Sequence, residues 1–344
     1  MHKKKIKIFL GGYINYTNAQ NLNCLALAKH LDSSRFTTYA LSVYFSPKMK
    51  SQAILFNCFY PFRISSVLGF LWGVIKCDIA YFPKHRSHPN WIIYIAIFLG
   101  KKVFTTIENN MCDLEKESML NSFGGKSNLV NYFQCIPNIF GITQYIIDNA
   151  NCGVRLENKA LYLGVESDLY CQKLRNKLKN IVFVGNLNKR KRVGEFLELA
   201  KKFPNINFNI IGDGIDRKLL EDKATKNVTF LGYLNQQEIA SKFNEMDLHV
   251  LHSISEGFPK VILETAAAGI PSIVYSDYGA SEWIVNNKNG FVVNDFKQLT
   301  TIIMGLIDNE NMLLKNSKGA ILMAKKFDWK VIIRDWEEVI YNLR

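Results

Sequence analysis

Two glutamates, Glu256 and Glu264, are separated by seven residues in the stretch from Leu248 to Ser276. Glu256 follows a short apolar run, Leu248 to Ser253, of the kind that forms a strand buried on both faces. Turn residues come next, and apolar residues at helical spacing then continue to Gly269. The pattern predicts Glu256 in the loop at the carboxyl end of a strand and Glu264 one to two turns into the following helix.

These positions suit an anionic ligand that carries hydroxyl groups. Open α/β sheets bind ligands at the carboxyl ends of their strands, so both glutamates are expected to face one crevice. Carboxylates accept hydrogen bonds from hydroxyls, and the amides of Gly257 and Phe258 come just before a helix N-terminus, which favours an anion. The prediction is a site for sugar and ribose hydroxyls on either side of a diphosphate. A capping glutamate and a solvated helical glutamate are the alternative interpretation of this spacing.

A basic run follows the predicted strand Ile181 to Gly185. It reads Asn186-Leu187-Asn188-Lys189-Arg190-Lys191-Arg192 and places four cations before the next helix. A lysine contact to phosphate is a charge-assisted hydrogen bond of about 1.5–3 kcal/mol, so two such contacts would anchor a diphosphate. A solvated basic surface is the alternative.

The elements that must position these residues alternate between strand and helix with short gaps, which is typical of a parallel sheet covered on both faces. Six strands are predicted in the second half: Ile181 to Gly185, Asn207 to Gly212, Val228 to Gly232, Leu248 to Ser253, Pro271 to Ser276 and Phe291 to Val293. The first half begins with a strand, a Gly11-Gly12 turn and a helix, as nucleotide-binding folds do, but without G-x-G-x-x-G spacing. The later apolar helix from Ile64 to Ile75 is expected to place its aromatic residues in the core rather than in a membrane.

The string S-E-G-F-P-K-V-I-L-E-T-A-A-A-G-I-P-S-I-V around the two glutamates resembles the signature of the retaining glycosyltransferases of family four, the group 1 glycosyltransferases. Gly212-Asp213-Gly214, Phe230 to Leu234 and Asn289 to Val293 follow in that family's order. The resemblance covers residues 180–344 and, more weakly, 1–170. It implies the α/β GT-B fold, with two Rossmann-like doubly wound domains facing each other across a cleft.

The same resemblance implies a division of the chain. Residues 1–166 would form the acceptor-side domain and 180–326 the domain that binds the nucleotide sugar. The stretch 167–179 between them is polar and basic, which is typical of a linker. Residues 327–344 would form closing helices that pack back across the hinge.

Site residues are carried over by position. Lys191 takes the family's lysine position in the diphosphate clamp, whereas Asn186 stands where the arginine usually is, so that Lys189, Arg190 or Arg192 would have to compensate. Glu256 and Lys191 are the catalytic candidates, with Glu256 on the donor sugar and Glu264 on the ribose. The other donor-binding candidates are Gly12, Asn186, Tyr233, Gly257 and Phe258.

The acceptor-side candidates lie in two loops of the first half. His85, Arg86 and also His88 belong to a polar loop after a strand, where they would steer an acceptor phosphate or form a solvated basic loop. Glu108 replaces the histidine that family members commonly have after the strand Lys102 to Ile107. A carboxylate there would act as a base or bind hydroxyls.

Charge and cysteine content limit the partners and the compartment. Residues 1–107 contain fourteen Lys or Arg against Asp32 and Asp78, so they carry +12 of the formal +13. This favours reversible attachment to an anionic membrane surface, and no nucleic-acid-binding module is recognised. No apolar run reaches the roughly 20 residues that a membrane span needs. Seven scattered cysteines, without a CxxC pair, indicate neither a disulfide framework nor a zinc site and favour a reducing cytoplasm.

The function that the resemblance implies is transfer of a sugar from a nucleotide-diphosphate donor, of UDP or GDP type, to a hydroxyl of a lipid-linked or glycan acceptor. The anomeric configuration would be retained, no cofactor is expected, and no D-x-D stands at a strand end to hold a metal. The expected setting is bacterial surface polysaccharide or lipopolysaccharide synthesis at the inner face of the cell membrane. Two alternatives stay open: a nucleotide-sugar epimerase of the same fold, and a catalytically weakened scaffold that binds nucleotide sugars. The sequence identifies neither the base, nor the sugar, nor the acceptor.

Overall fold

The fold was analysed in a computed structural model of the chain, which describes residues 4–16, 18–47, 49, 51–83, 90–113 and 119–344. The chain divides into two compact units. Unit 1 comprises 1–163 and 329–344, and unit 2 comprises 164–328. Among the described residues, no helix combines the length and the hydropathy that crossing a bilayer requires.

Unit 1 is built on a parallel sheet of six strands in the order β3-β2-β1-β4-β5-β6. Its elements are β1 Ile6–Tyr13, α1 Ala19–His30, β2 Phe36–Ser42, β3 Ile54–Asn57, α2 Phe62–Lys76, β4 Ile79–Tyr81, α3 Trp91–Phe98, β5 Lys102–Ile107, α4 Met119–Ser122, α5 Lys126–Phe133, β6 Asn138–Gly141 and α6 Gln144–Asp148. The last helix of the chain, which is numbered α13 below, also belongs to this unit. The predicted opening strand and helix are confirmed, but Gly11 and Gly12 lie within β1 and not in a turn after it. The edge strand β3 was not predicted.

Unit 2 repeats the same sheet order with strands β12-β11-β10-β7-β8-β9, all parallel. Its elements are β7 Asn180–Val184, α7 Val193–Lys202, β8 Asn207–Ile211, α8 Arg217–Glu221, β9 Val228–Gly232, α9 Gln236–Lys242, β10 Leu248–Leu251, α10 Lys260–Ala267, β11 Ser272–Tyr275, β12 Gly290–Val293, α11 Phe296–Asp308 and α12 Glu310–Lys326, followed in unit 1 by α13 Trp329–Asn342. All six predicted strands are present, with ends that differ by one or two residues. Both sheets have the doubly wound order of dinucleotide-binding folds.

The stretch 167–179, which the sequence predicts as a linker, lies within unit 2 and packs against it. Arg175 is only 2% exposed. Its guanidinium donates to the carbonyl oxygens of Phe243, Asn244 and Ala268 at 2.9–3.2 Å. Composition indicated a solvated segment, but one buried arginine that satisfies three helix-end carbonyls fixes it to the sheet layer.

The expectation of free cysteines is wrong for one pair. Cys112 and Cys152 form a disulfide in unit 1 with a Cα–Cα distance of 5.4 Å, although forty positions separate them in the sequence. Cys58, Cys77, Cys135 and Cys171 are free. Sequence spacing could not reveal this pair, because the fold and not the chain brings the two residues together.

Candidate functional site

The candidate site of unit 2 lies where the strand order of the sheet reverses. Strands β7 and β10 are neighbours, with Leu248 opposite Ile181. The chain leaves β7 toward β8 on one side and leaves β10 toward β11 on the other, so the loops after β7 and β10 diverge. Such a switch point creates the crevice in which open α/β sheets bind ligands. Lys191 follows β7 and Glu256 follows β10.

Local hydrogen bonds hold the loop after β7 in place. Residues 189–191 form a single 3-10 turn, and the side chain of Asn188 caps it by accepting from the Lys191 amide at 3.3 Å. Arg192 then adopts a left-handed conformation with φ of 47°, which turns the chain into α7. The amide of Ile254 donates to the Arg190 carbonyl at 2.9 Å, so the two loops of the switch point are joined through their backbones.

One carboxylate faces two cations at this point. Lys191 Nζ donates to Glu256 Oε1, and Arg190 Nη1 lies 3.4 Å from Glu256 Oε2. The side chains of Lys191 and Glu256 are only 10% and 11% exposed. Burial lowers the pKa of Lys191, and the negative charge of Glu256 opposes that shift. The structure therefore places both catalytic candidates in direct contact.

Glycines allow the adjacent loops to approach this pair. A Cβ atom on Gly212 would lie 1.9 Å from the Gly185 carbonyl oxygen, and Gly212 has a φ of +134°. Lys191 Nζ lies 3.7 Å from the position that a Cβ on Gly185 would occupy. The glycines that end the predicted strands are thus needed for backbone contact beside the lysine.

The second glutamate follows on α10. Phe258 turns its ring into the core, where it packs edge-on against Trp283 at 4.8 Å between centroids. Pro259 is the N-cap residue and makes no side-chain capping bond to the first amides of α10. Glu264 is half-buried, and burial raises its carboxyl pKa against the opposing influence of Lys260. A carboxylate of this kind favours a partner that donates hydrogen bonds.

Two donor-binding candidates of unit 2 lie at the surface. Asn186 is exposed and its amide oxygen lies beside Gly214, at 2.5 Å from where a Cβ on that glycine would stand. Tyr233 follows β9 and is 73% exposed. Gly257, by contrast, is buried between Glu256 and the start of α10. Among the residues that the structure describes, neither the Asn186 nor the Tyr233 side chain forms a hydrogen bond or an ion pair with Lys191 or Glu256.

Comparisons with known proteins agree with this architecture. Residues 171–322 match the family model described as glycosyl transferases group 1. Over that segment the chain is similar to the group 1 glycosyltransferases. The segment contains every residue of the site in unit 2 described so far.

Several curated relatives resemble this chain over part of its length. An alpha-monoglucosyldiacylglycerol synthase of Acholeplasma laidlawii is 28% identical over 171 residues, covering 47% of this chain and 43% of the relative. A capsular polysaccharide biosynthesis glycosyltransferase, CapM, of Staphylococcus aureus is 27% identical over 296 residues, covering 81% and 68%. The chain spans about half the length of the curated relatives it matches first.

Solved structures show that the fold extends over both units. HepE of Anabaena, solved in complex with UDP, has a TM-score of 0.75 at 17% identity and covers 98% of this chain and 100% of its own. A sucrose-phosphate synthase of Thermosynechococcus elongatus has a TM-score of 0.78 at 12% identity and covers 99% of each chain. The chain therefore has the GT-B fold that the sequence resemblance implied.

Two buried histidines of the group 1 segment were not singled out from the sequence. His249 and His252 are fully buried, and burial lowers the pKa of each to about 3. His249 Nδ1 pairs with the Ser272 hydroxyl at 2.9 Å, whereas His252 lies among the rings of Phe183 and other aromatic residues. The sequence signal that could have identified them is the presence of two histidines in the otherwise apolar run Leu248-His249-Val250-Leu251-His252. Both are neutral groups beneath the loop that carries Glu256.

Unit 1 has its own polar cluster where its strand order reverses. Asn23 on α1 donates to Glu108 Oε1 at 2.6 Å, and the Tyr81 hydroxyl pairs with Thr106 at 2.6 Å. Burial and the neighbouring Glu108 raise the pKa of Tyr81 well above its usual range. Glu108 is therefore a half-buried hydrogen-bond acceptor that Asn23 fixes in place just after the carboxyl end of β5.

The other first-half candidates have different positions. Gly12 is buried at the end of β1, and a Cβ there would lie 2.8 Å from the Cys24 sulfur and 3.1 Å from the Asn21 amide oxygen. The glycine thus admits α1 close to the strand. His85 and Arg86, together with His88, lie outside the described residues.

Proposed function

We propose that this chain is a retaining, metal-independent glycosyltransferase that moves a sugar from a nucleotide diphosphate to a hydroxyl of a lipid-linked or glycan acceptor. The observation that carries the proposal is the cluster at the switch point of unit 2, in which Lys191 and Arg190 share the carboxylate of Glu256. The group 1 match covers this cluster. HepE was solved in complex with UDP, which supports a nucleotide donor. The name of the Acholeplasma relative includes a diacylglycerol product, which supports a lipid acceptor.

The donor diphosphate would bind the Lys191 ammonium and the amides that precede α10. Both groups stabilise negative charge, which grows on the phosphate as the bond to the anomeric carbon breaks. Glu256 would then exchange its contacts with the two cations for hydrogen bonds from the sugar hydroxyls. Glu264 would accept from the ribose hydroxyls.

The transfer itself exchanges one C–O bond for another. The acceptor oxygen bonds to the anomeric carbon on the face that the nucleotide leaves, and the departing phosphate oxygen takes the acceptor proton. The configuration is retained, and the products are a nucleoside diphosphate and a glycoside. Glu108 would bind acceptor hydroxyls on the unit 1 side.

Arg190 is our candidate for the cation that replaces the family's arginine, whose position Asn186 occupies. Its guanidinium already faces the Glu256 carboxylate, beside Lys191. Lys189 is exposed, and the Arg192 guanidinium stacks over the Tyr275 ring at 5.1 Å. Of the three neighbours, Arg190 is therefore the one whose charge lies next to the lysine.

A nucleotide screen tests the donor site directly. Ligand that binds the folded state raises its stability as RT ln(1 + [L]/Kd), so one of UDP, GDP, ADP and CMP should raise the melting temperature most. Arg190→Gln should reduce that shift, while Lys189→Gln, a matched change one position away, should leave it unaltered. Absence of a shift with every nucleotide would contradict the donor site.

Asn186 stands in place of the family's arginine and Glu108 in place of its histidine. These two differences favour one second candidate function, a scaffold that binds nucleotide sugars without transferring them. Binding of a nucleotide in the screen, followed by no transfer to any lipid or glycan acceptor, would favour this candidate. Transfer of labelled sugar to a membrane extract would exclude it.

The proposed setting is bacterial surface polysaccharide or lipopolysaccharide synthesis, on the cytoplasmic face of the cell membrane. The name of CapM, with its capsular role, supports this pathway. The excess of basic residues in 1–107 supports attraction to anionic lipid. In a reducing compartment Cys112 and Cys152 would be present as thiols for part of the population, which thiol labelling before and after reduction would show.

A further inference from the structure

Helix α2 of unit 1 packs mainly small residues against the sheet, together with Phe70 and Val74. A Cβ on Gly73 would lie 2.3 Å from ring atoms of Phe9, and one on Gly69 would lie 2.9 Å from Leu41 and Phe56. The helix therefore lies so close to the strands that only small residues fit along most of its inner face. Phe70 is buried in the core, as the sequence predicted, whereas Trp72 is partly exposed.

Several large apolar side chains of α2 form a stripe on the outer face. Ile64, Leu68 and Ile75 are 59%, 45% and 63% exposed. Their spacing of four and seven residues places them on one line along the helix. The ordinary arrangement is seen in α7, which buries Phe196 and exposes Lys201.

Helix α3 presents a second stripe of the same kind. Trp91, Tyr94 and Phe98 are 42%, 56% and 89% exposed and follow each other at intervals of three and four residues. The helix buries Ile92, Ile93 and Ala96 on its opposite side. Exposed apolar residues that stand singly need no explanation, but two aligned stripes do.

The two stripes belong to one surface. The crossovers β3-α2-β4 and β4-α3-β5 proceed across the sheet in the same direction, so right-handed connections place both helices on the same face. The helices are also in contact with each other. We name this surface the α2–α3 face and define it by the six residues of the two stripes.

Charge indicates what covers the α2–α3 face. No acidic residue occurs between Asp32 and Asp78 or between Asp78 and Glu108, so neither helix carries one. Arg63 and Lys76 are exposed on α2, and Lys102 is exposed just after α3. A second copy of the same face would bring like charges together, whereas anionic lipid would complement them.

We propose that the α2–α3 face inserts its apolar stripes into the interface of an anionic bilayer, with the helices lying in the membrane plane. Helix α2 spans about 22 Å at 1.5 Å per residue, which suits a helix that lies in the interface. This inference rests on the membrane setting proposed above and adds apolar insertion to the electrostatic attraction. Insertion predicts binding that persists when salt screens the charges.

Vesicle sedimentation tests the inference with the full chain. The wild type, Ile75→Ser/Phe98→Ser and the control Ile215→Ser would be compared on vesicles with and without anionic phosphatidylglycerol, at low and high salt. Ile215 is a matched control because it is 92% exposed and lies in unit 2. We expect the double variant to bind at least tenfold more weakly to anionic vesicles, with the control equal to the wild type.

Two further measurements separate the possible outcomes. Brominated lipid should quench the fluorescence of the exposed Trp91 in the wild type, and Trp91→Phe should reduce that quenching, because Trp72 on α2 is only partly exposed and Trp283, Trp329 and Trp336 are buried. Equal vesicle binding by the double variant, or a wild-type dimer that the double variant converts to monomer, would overturn the proposal. The nucleotide shift is measured on the same samples, so loss of donor binding would refute the proposed function and leave membrane insertion independently tested.

Discussion

Replacement of Glu256 by glutamine should destabilise the free protein and strengthen its response to a nucleoside diphosphate. The carboxylate faces Lys191 and, at 3.4 Å, Arg190, a separation at which unit charges attract by about 5 kcal/mol at an effective dielectric constant of ~20. Desolvation offsets part of that attraction, and removal of one partner from a buried pair costs about 3 kcal/mol. For a unit of this size we expect the melting temperature to fall by roughly 6–12 °C.

Bound UDP should return much of the lost stability, because its diphosphate brings negative charge to the same two cations. The affinity for UDP should rise about tenfold over the wild type, which corresponds to about 1.4 kcal/mol. Differential scanning fluorimetry with a UDP titration measures both effects. Glu198→Gln is the control, since its pair with Lys201 is exposed and contributes little. A melting temperature within 2 °C of the wild type, or weaker UDP binding by the variant, would refute the assignment of this carboxylate as the competitor of the diphosphate.

Three other predictions follow from buried groups of unit 2. Because the folded-state pKa of Glu264 is raised, ionisation opposes folding above that pKa, so Glu264→Gln should raise the melting temperature near pH 8, have no effect near pH 4, and weaken donor binding. Burial lowers the pKa of His252 to about 3, so the stability that the neutral imidazole contributes is present above about pH 6.5 and is lost as the pH falls. The loss reaches about 2 kcal/mol of unfolding free energy by pH 5, and His252→Phe should abolish this part of the pH dependence in urea titrations. Arg175→Leu should cost about 3 kcal/mol in the same titrations, because three carbonyls lose their donor, while Arg217→Leu at an exposed ion pair should cost less than about 1 kcal/mol.

The sequence was most informative where burial and strand periodicity coincide. The strands of unit 2 are mostly apolar runs, and the first three end at a glycine, so their existence and their carboxyl ends were predictable to within two residues. The predicted placement of Glu256 in a loop and Glu264 in the next helix is also what the structure shows. Lys191 and Glu256 are sixty-five positions apart in the sequence, and they meet because the strands that precede them, β7 and β10, are neighbours in the sheet.

Features that depend on a single buried polar group could not be read from the sequence. Composition made 167–179 appear solvated, and only its contacts reveal that Arg175 is buried. The disulfide between Cys112 and Cys152 depends on two chain segments that the fold brings together. The outward orientation of Ile64 on α2 is equally hidden, because hydrophobic spacing alone does not tell which face of an apolar helix meets the sheet.

Helix α2 separates two properties that ordinary amphipathic helices combine. The close packing of the helix on the sheet requires that Gly69 and Gly73 have no side chain, whereas its outward-facing residues contribute almost nothing to that packing. Polar replacements at Ile64, Leu68 or Ile75 should therefore be nearly neutral for folding. The strength of the proposed lipid binding could then vary, by natural substitution or by design, without any change in how the helix packs on its sheet.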